Sequence, residues 1–206
     1  VKIEVFQDLV CPWCYIGKQN LLQAVQAWGK PVTFVHRSFL LDPTTPEEGT
    51  GFIEAMSQKM GNVDAVKQIT ERVTQAGEAV GLHFRFDLVE QMPNTILAHR
   101  LIKFVSEDQQ MALSESIFQA YFTQGKDIGK KDVLTEIALS FGLTPDQIQE
   151  VWSNDKTSQA VTSELARATE IGVSGVPFFV LDGKLALSGA HPVENFLRAF
   201  AEVEKD

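Results

Sequence analysis

The sequence predicts an α/β fold in which one sheet is built from a βαβ half and a ββα half, separated by a long helical insertion. Three observations predict it. Residues 2–39 read strand, helix, strand; residues 177–203 read strand, strand, helix; and residues 44–171 between them carry mostly helical periodicity. The 206 residues suffice for one large domain or a domain with an insertion. With 44% hydrophobic and 22% charged residues, neither a disordered tail nor a fibrous repeat fits. The expected division is 1–43 with 172–206 as the sheet domain and 44–171 as the inserted helical domain.

Lys2–Phe6 reads as a strand, with Ile3 and Val5 on one face and Glu4 facing solvent. After Cys11-Pro12-Trp13-Cys14, the run Tyr15–Trp28 spaces Ile16, Leu21, Leu22, Val25 and Trp28 for a helix that Gly29 stops. Pro31–Phe39 holds the β-branched and aromatic types that strands favour. Strand, helix, strand at this spacing is a βαβ unit, whose crossover is right-handed in about 98% of cases. From Leu40, Pro43, Pro46 and Gly49 mark a loop.

Helices are then expected at Val63–Val80, from Asn94 or Thr95 to Val105, and at Gln110–Thr123, Asp132–Phe141, Pro145–Trp152 and Ser158–Ile171. Thr144 is a good cap for the fifth of these, and Pro145 suits its first position. Pro177–Leu181 and Leu185–Leu187 read as a hairpin turning at Asp182-Gly183, and Pro192–Val203 as a closing amphipathic helix.

A net charge of −9 argues against nucleic acid as a partner, because phosphates attract basic surfaces. Most of the excess acid lies in residues 44–171 and reads as solvated helix faces. No apolar run approaches the ~20 residues of a membrane span, and the first residues lack a signal-peptide pattern. A cytoplasmic location is expected, with a periplasmic or exported one as the alternative if a leader was removed.

The two cysteines, three residues apart, are too close to cross-link distant parts of a fold, so their value is chemical. They stand between a strand end and a helix start, where free N–H groups and the helix dipole favour a thiolate. Cys11 is therefore assigned as the reactive sulfur and Cys14, one turn deeper, as the resolving one. Pro12 presets the first turn of the helix. Half of a zinc site and two inert thiols are the competing readings. Zinc needs four ligands, and His36, His83, His99 and His191 include no second close pair. Pro177 opens the third strand, where proline is tolerated. A cis Val176–Pro177 bond beside the cysteines would shield the sulfurs and expose the Val176 backbone to an extended substrate.

Asp8-Leu9-Val10-Cys11-Pro12-Trp13-Cys14-Tyr15-Ile16-Gly17, Gly175-Val176-Pro177-Phe178-Phe179 and Ser188-Gly189-Ala190-His191-Pro192 resemble the DsbA family of thiol–disulfide oxidoreductases, in its FrnE-like branch. Asn94-Thr95, Ala98-His99-Arg100, Tyr121-Phe122 and Gly125 are similar to that branch's helical insertion. The resemblance implies a thioredoxin fold with an inserted helical domain, and a cis Pro177 facing Cys11. Where well-known relatives carry histidine this chain has Trp13, which cannot become cationic, so Trp13, Pro12 and Val176 are the candidate tuners of the redox pair. The glutathione-binding kappa-class transferases and chromene-carboxylate isomerases share the fold. They typically carry a Ser-Asp pair after the fourth strand, where this chain has Ser188-Gly189-Ala190.

The expected function is thiol–disulfide exchange through Cys11 and Cys14, by way of a mixed disulfide with a protein or small thiol. The alternative is a glutathione-dependent transferase or isomerase of the kappa-class type. No cofactor or metal is expected beyond the redox-active disulfide, with glutathione the candidate co-substrate. Asp8 is a candidate for proton transfer, against a competing role capping its loop. Asn94, Thr95, His99, Phe178 and His191 are candidate substrate contacts, against capping and core roles. Oligomeric state is left open.

Overall fold

In the computed structural model, which describes residues 1–205, β1 (Lys2–Gln7) runs through the middle of the molecule. Its Ile3, Val5 and Phe6 are all fully buried, because both faces of the strand are covered. It pairs in parallel with β2 (Thr33–Ser38), and the two are joined by α1 (Pro12–Trp28). Gly29 closes α1 with a left-handed φ of 67°, which a Cβ would strain. On its other side β1 pairs antiparallel with β5 (Phe178–Leu181), and β5 with β6 (Leu185–Ser188), giving the order β2-β1-β5-β6. Asp182 and Gly183 both take positive φ in the three-residue turn between β5 and β6, which the Lys184 N–H closes by donating to the Leu181 carbonyl at 2.9 Å. The Asp182 carboxylate also accepts the Lys2 N–H at 2.7 Å.

Between β2 and β5 lie β3 (Thr50–Gly51), α2 (Phe52–Met60), α3 (Val63–Glu78), β4 (Gln91–Met92), α4 (Ile96–Phe104), α5 (Glu107–Phe122), α6 (Lys131–Phe141), α7 (Pro145–Ser153) and α8 (Asp155–Glu170). The chain ends in α9 (Val193–Val203). The βαβ half (β1, α1, β2) and the ββα half (β5, β6, α9) thus share one four-stranded mixed sheet and are separated in sequence by a mostly helical insertion. The expected cap of α7 is a full capping box, Thr144 and Gln147 each bonding the other's backbone N–H.

Two features departed from expectation. Helix α2 carried no readable stripe: only Phe52 of it is buried, while Ile53 and Met60 lie exposed, so its periodicity is blurred. The β3–β4 pair, two residues to a strand, is held by tertiary contact and is too short to show in a pattern.

Two apolar clusters organise the packing. Ile3, Val5, Leu21, Phe179, Phe196 and Phe200 join β1 and β5 to α1 and α9. The larger cluster belongs to the insertion, yet it includes Leu9, Cys11, Cys14, Tyr15 and Ile16. The start of α1 is thus packed into the helical domain. Polar ties reinforce this. Glu4, expected at the surface, is 9% exposed because Arg37 (2.7 Å) and Arg167 of α8 (2.8 Å) both bind it. Burial alone would raise the Glu4 pKa, but the hydrogen bonds from those two guanidiniums hold it below the ordinary value. Glu164 of α8 takes Lys103 (2.7 Å) and the Ser38 N–H (2.8 Å).

Candidate active site

Cys11 ends the turn that follows β1. Its N–H donates to the Asp8 carbonyl at 3.0 Å, and its extended backbone makes it the N-cap of α1. Cysteine here does what serine or aspartate usually does: Sγ accepts the Cys14 N–H at 3.2 Å. Pro12 occupies the first helical position, where a missing N–H costs nothing. Both cysteines are free thiols. Cys14 is 1% exposed, and burial, aided by its hydrogen bond to Cys11 and the charge there, pushes its pKa well up. Its sulfur is thus kept as the neutral thiol. Among the described residues no three histidine, cysteine or acidic side chains gather as a metal ion would require.

The Val176–Pro177 bond is cis. The Val176 carbonyl faces Cys11, whose Sγ lies 3.7 Å away and donates to it. The proline loop sits close against α1 because residue 17 is glycine. A Cβ there would meet Pro177 Cγ at 3.0 Å and the Ala190 Cα at 3.3 Å. Gly17, quoted above only within a motif, is therefore a determinant of the site, legible in sequence only as a glycine inside a helix.

Asp8 is 2% exposed and saturated with donors. Oδ1 accepts from the Leu9 N–H (2.8 Å), Thr95 Oγ1 (2.7 Å) and His99 Nε2 (3.2 Å), and Oδ2 from the Leu41 N–H (2.8 Å). His99 Nε2 also faces the Phe39 carbonyl at 3.1 Å, so its ring hydrogen belongs on that nitrogen. Asp8 thereby clasps the loop before Cys11 to the segment after β2 and to the start of α4.

Of the expected substrate contacts, Thr95 (3% exposed) and His99 (fully buried) both bond Asp8, but Thr95 also lines the cavity at Cys11, as Asn94 does, and His99 does not. His99 is walled off from any substrate. Asn94 does cap α4, accepting the Ile96 N–H at 3.0 Å, while its amide donates to the Thr45 carbonyl. Phe178 packs edge-on against Phe6. His191 pairs through Nδ1 with the Asn195 side chain at 2.9 Å. Neither Phe178 nor His191 lines the cavity at Cys11; core packing and helix-start bonding claim them.

That cavity, about 330 Å³, has Cys11, Pro12, Trp13 and Val176 on one side and Met56, Met60, Ile69, Val73 and Met92 of the insertion on the other. Trp13 is 38% exposed at its edge.

A second group was not anticipated. Lys18 of α1, 1% exposed, reaches Glu115 of α5 at 2.7 Å and the Met111 carbonyl at 2.8 Å. Tyr15 Oη donates to the same carboxylate at 2.7 Å. Burial lowers the Lys18 pKa to about 8 although Glu115 opposes the shift. A lysine on a helix normally reads as surface, so only the packing of α1 on α5 reveals it.

An uncharacterized Bacillus subtilis protein, YwbO, is 26% identical over 208 residues, spanning 100% of this chain and 98% of that one. The crystal structure of a probable DsbA oxidoreductase from Streptomyces coelicolor superposes with a TM-score of 0.92 at 27% identity, covering 100% of this chain and 90% of the other. The cytosolic disulfide reductase DsbM from Pseudomonas aeruginosa shares the fold with a TM-score of 0.69 at 19% identity, covering 99% and 98%. A family model described as a DSBA-like thioredoxin domain matches residues 2–201, nearly the full length over which the cysteine pair, the proline loop and the helical insertion are arranged, and the chain belongs to that family.

Proposed function

We propose that the protein is a thiol–disulfide oxidoreductase working through Cys11 and Cys14. The observation that carries the reading is their arrangement: Cys11 caps α1 with its sulfur toward the Val176 carbonyl and the cavity, while Cys14 lies one turn deeper and out of reach. In the oxidising direction a substrate thiolate attacks Cys11 of the Cys11–Cys14 disulfide. The S–S bond breaks, Cys14 leaves and takes up a proton, and a mixed disulfide remains. A second substrate thiol then releases the oxidised product. In the reducing direction Cys11 attacks the substrate disulfide and Cys14 attacks Cys11. Because burial keeps Cys14 a thiol, it waits for the mixed disulfide and does not compete for outside substrate.

Glutathione is one thiol against which the pair is to be measured. The cytosolic disulfide reductase of Pseudomonas aeruginosa has a structure with glutathione, and the likeness to it supports a reducing compartment here. Among the described residues no helix is long and apolar enough to cross a membrane.

The deciding experiment is redox equilibration in glutathione buffers, read by mass spectrometry. The expected result is a Cys11–Cys14 disulfide forming with one midpoint, and turnover of a protein disulfide that Cys11→Ser abolishes while the fold persists. Turnover of a small electrophile with glutathione, undiminished in Cys14→Ser, would instead support the transferase reading. Two sulfurs that never join under mild oxidant would overturn the proposal.

A further inference from the structure

Thiol–disulfide exchange by itself does not account for the cavity at Cys11. About 330 Å³ is the lower end of small-ligand pockets, and its wall is mostly apolar. Helices α2 and α3 and strand β4 supply the far side through Met56, Met60, Ile69, Val73 and Met92, a surface with no part in holding the cysteines. Three charged side chains line it, and each is already paired within the protein. Asp8 accepts four hydrogen bonds, and Lys59 and Asp42 pair with one another at 2.9 Å. The Asn94 side chain is spent on Ile96 and Thr45. A ligand with two carboxylates and an ammonium, as glutathione has, meets no unpaired charge here and would have to break the Lys59–Asp42 pair to find one. The three methionines are unbranched and polarisable, and so adapt to aromatic or branched shapes.

We infer that this cavity seats the substrate, and that the substrate is a small apolar thiol or its disulfide, its hydrocarbon body among Met56, Met60, Ile69 and Met92 and its sulfur at Cys11. The inference rests on the oxidoreductase reading. In the oxidising direction one thiolate forms a bond to Cys11 Sγ and displaces Cys14, which is protonated. A second thiolate attacks the substrate sulfur and displaces Cys11. Two thiols lose two electrons to form one disulfide, the cysteine pair gains those electrons, and the two protons pass to Cys14 and to Cys11 or solvent.

The test reduces the oxidised protein in single turnover with phenylethanethiol, mercaptoethanol, glutathione, and a short peptide bearing phenylalanine beside its cysteine, each rate corrected for its thiolate fraction. The expected result is saturation by phenylethanethiol and a rate roughly tenfold or more above that of mercaptoethanol. In Ile69→Trp, which fills the cavity, that ratio falls toward one. Met60→Trp, at a position 40% exposed and tolerant of a larger side chain, repeats the measurement if Ile69→Trp does not fold. Equal rates for the two simple thiols, or faster saturable reaction with glutathione, would overturn the inference. A peptide that outpaces phenylethanethiol would overturn it in favour of a protein substrate. Failure of every thiol to open the Cys11–Cys14 bond would instead sink the oxidoreductase reading beneath it.

Discussion

At the scale of single residues, the two cysteines differ in environment more than in position. Both are buried in the same apolar cluster, but Cys11 lines the cavity and faces the Val176 carbonyl, while Cys14 does not reach the cavity. Cys14→Ala is therefore expected to accumulate a mixed disulfide at Cys11 when mixed with a substrate disulfide, seen as an added mass that reductant removes; wild type should show little. Asp8 accepts four hydrogen bonds from three segments of the chain, so it acts as a clasp. Asp8→Asn would turn an NH2 group toward at least one of those donors. It is expected to destabilise the fold by about 2 kcal/mol in urea unfolding, since a buried donor is left facing a donor. A loss under about half a kcal/mol would show that the carboxylate is not holding these segments together.

At the scale of elements, α1 serves two partners. Its first turn presents Cys11, and its next turn lies against the proline loop through Gly17 and against α5 through Lys18. Gly17→Ala gains up to about 1 kcal/mol of helix propensity but presses on Pro177. Stability should change little, while the rate of disulfide exchange falls roughly tenfold because the site shifts. Equal rates for the two proteins would show that the close contact is incidental.

Lys18 makes a pH prediction. Its pKa is about 8 in the folded protein and 10.5 ordinarily, so between those values the unfolded chain holds a proton that the folded one has released. Stability from this group therefore rises with pH across that window, by on the order of 2 kcal/mol. Denaturant unfolding at both ends of the window should show the rise in wild type and a smaller one in Lys18→Met.

At the scale of the whole molecule, a polar network locks the insertion to the sheet. Glu4 and Glu164 share Arg37, with Arg167 and Lys103 completing it across β1, β2, α4 and α8. Lys103 is itself largely buried, and burial lowers its pKa against the pull of Glu164. Glu164→Ala leaves that ammonium without its carboxylate. The expected cost is about 3 kcal/mol, with faster amide exchange in α8 and β2 than elsewhere. Uniform exchange across the chain would mean that the insertion is held by apolar packing alone.

The sequence by itself determined the two halves of the sheet, most of the helices between them, the cysteine pair at a helix start and the proline loop, because each depends on local pattern: period, capping chemistry and residues with special backbones. Gly29, the Asp182-Gly183 turn and the Thr144 cap were legible for that reason. Only the tertiary structure decided what meets across the fold. It bonded Thr95 and His99 to Asp8, buried Glu4 between two arginines, hid Lys18 behind α5, and set Gly17 under Pro177. These pairs lie from 33 to 163 residues apart in sequence, as Glu4 shows with its two arginines. A polar side chain looks the same in sequence whether it faces water or a buried partner, and packing alone supplies the partner.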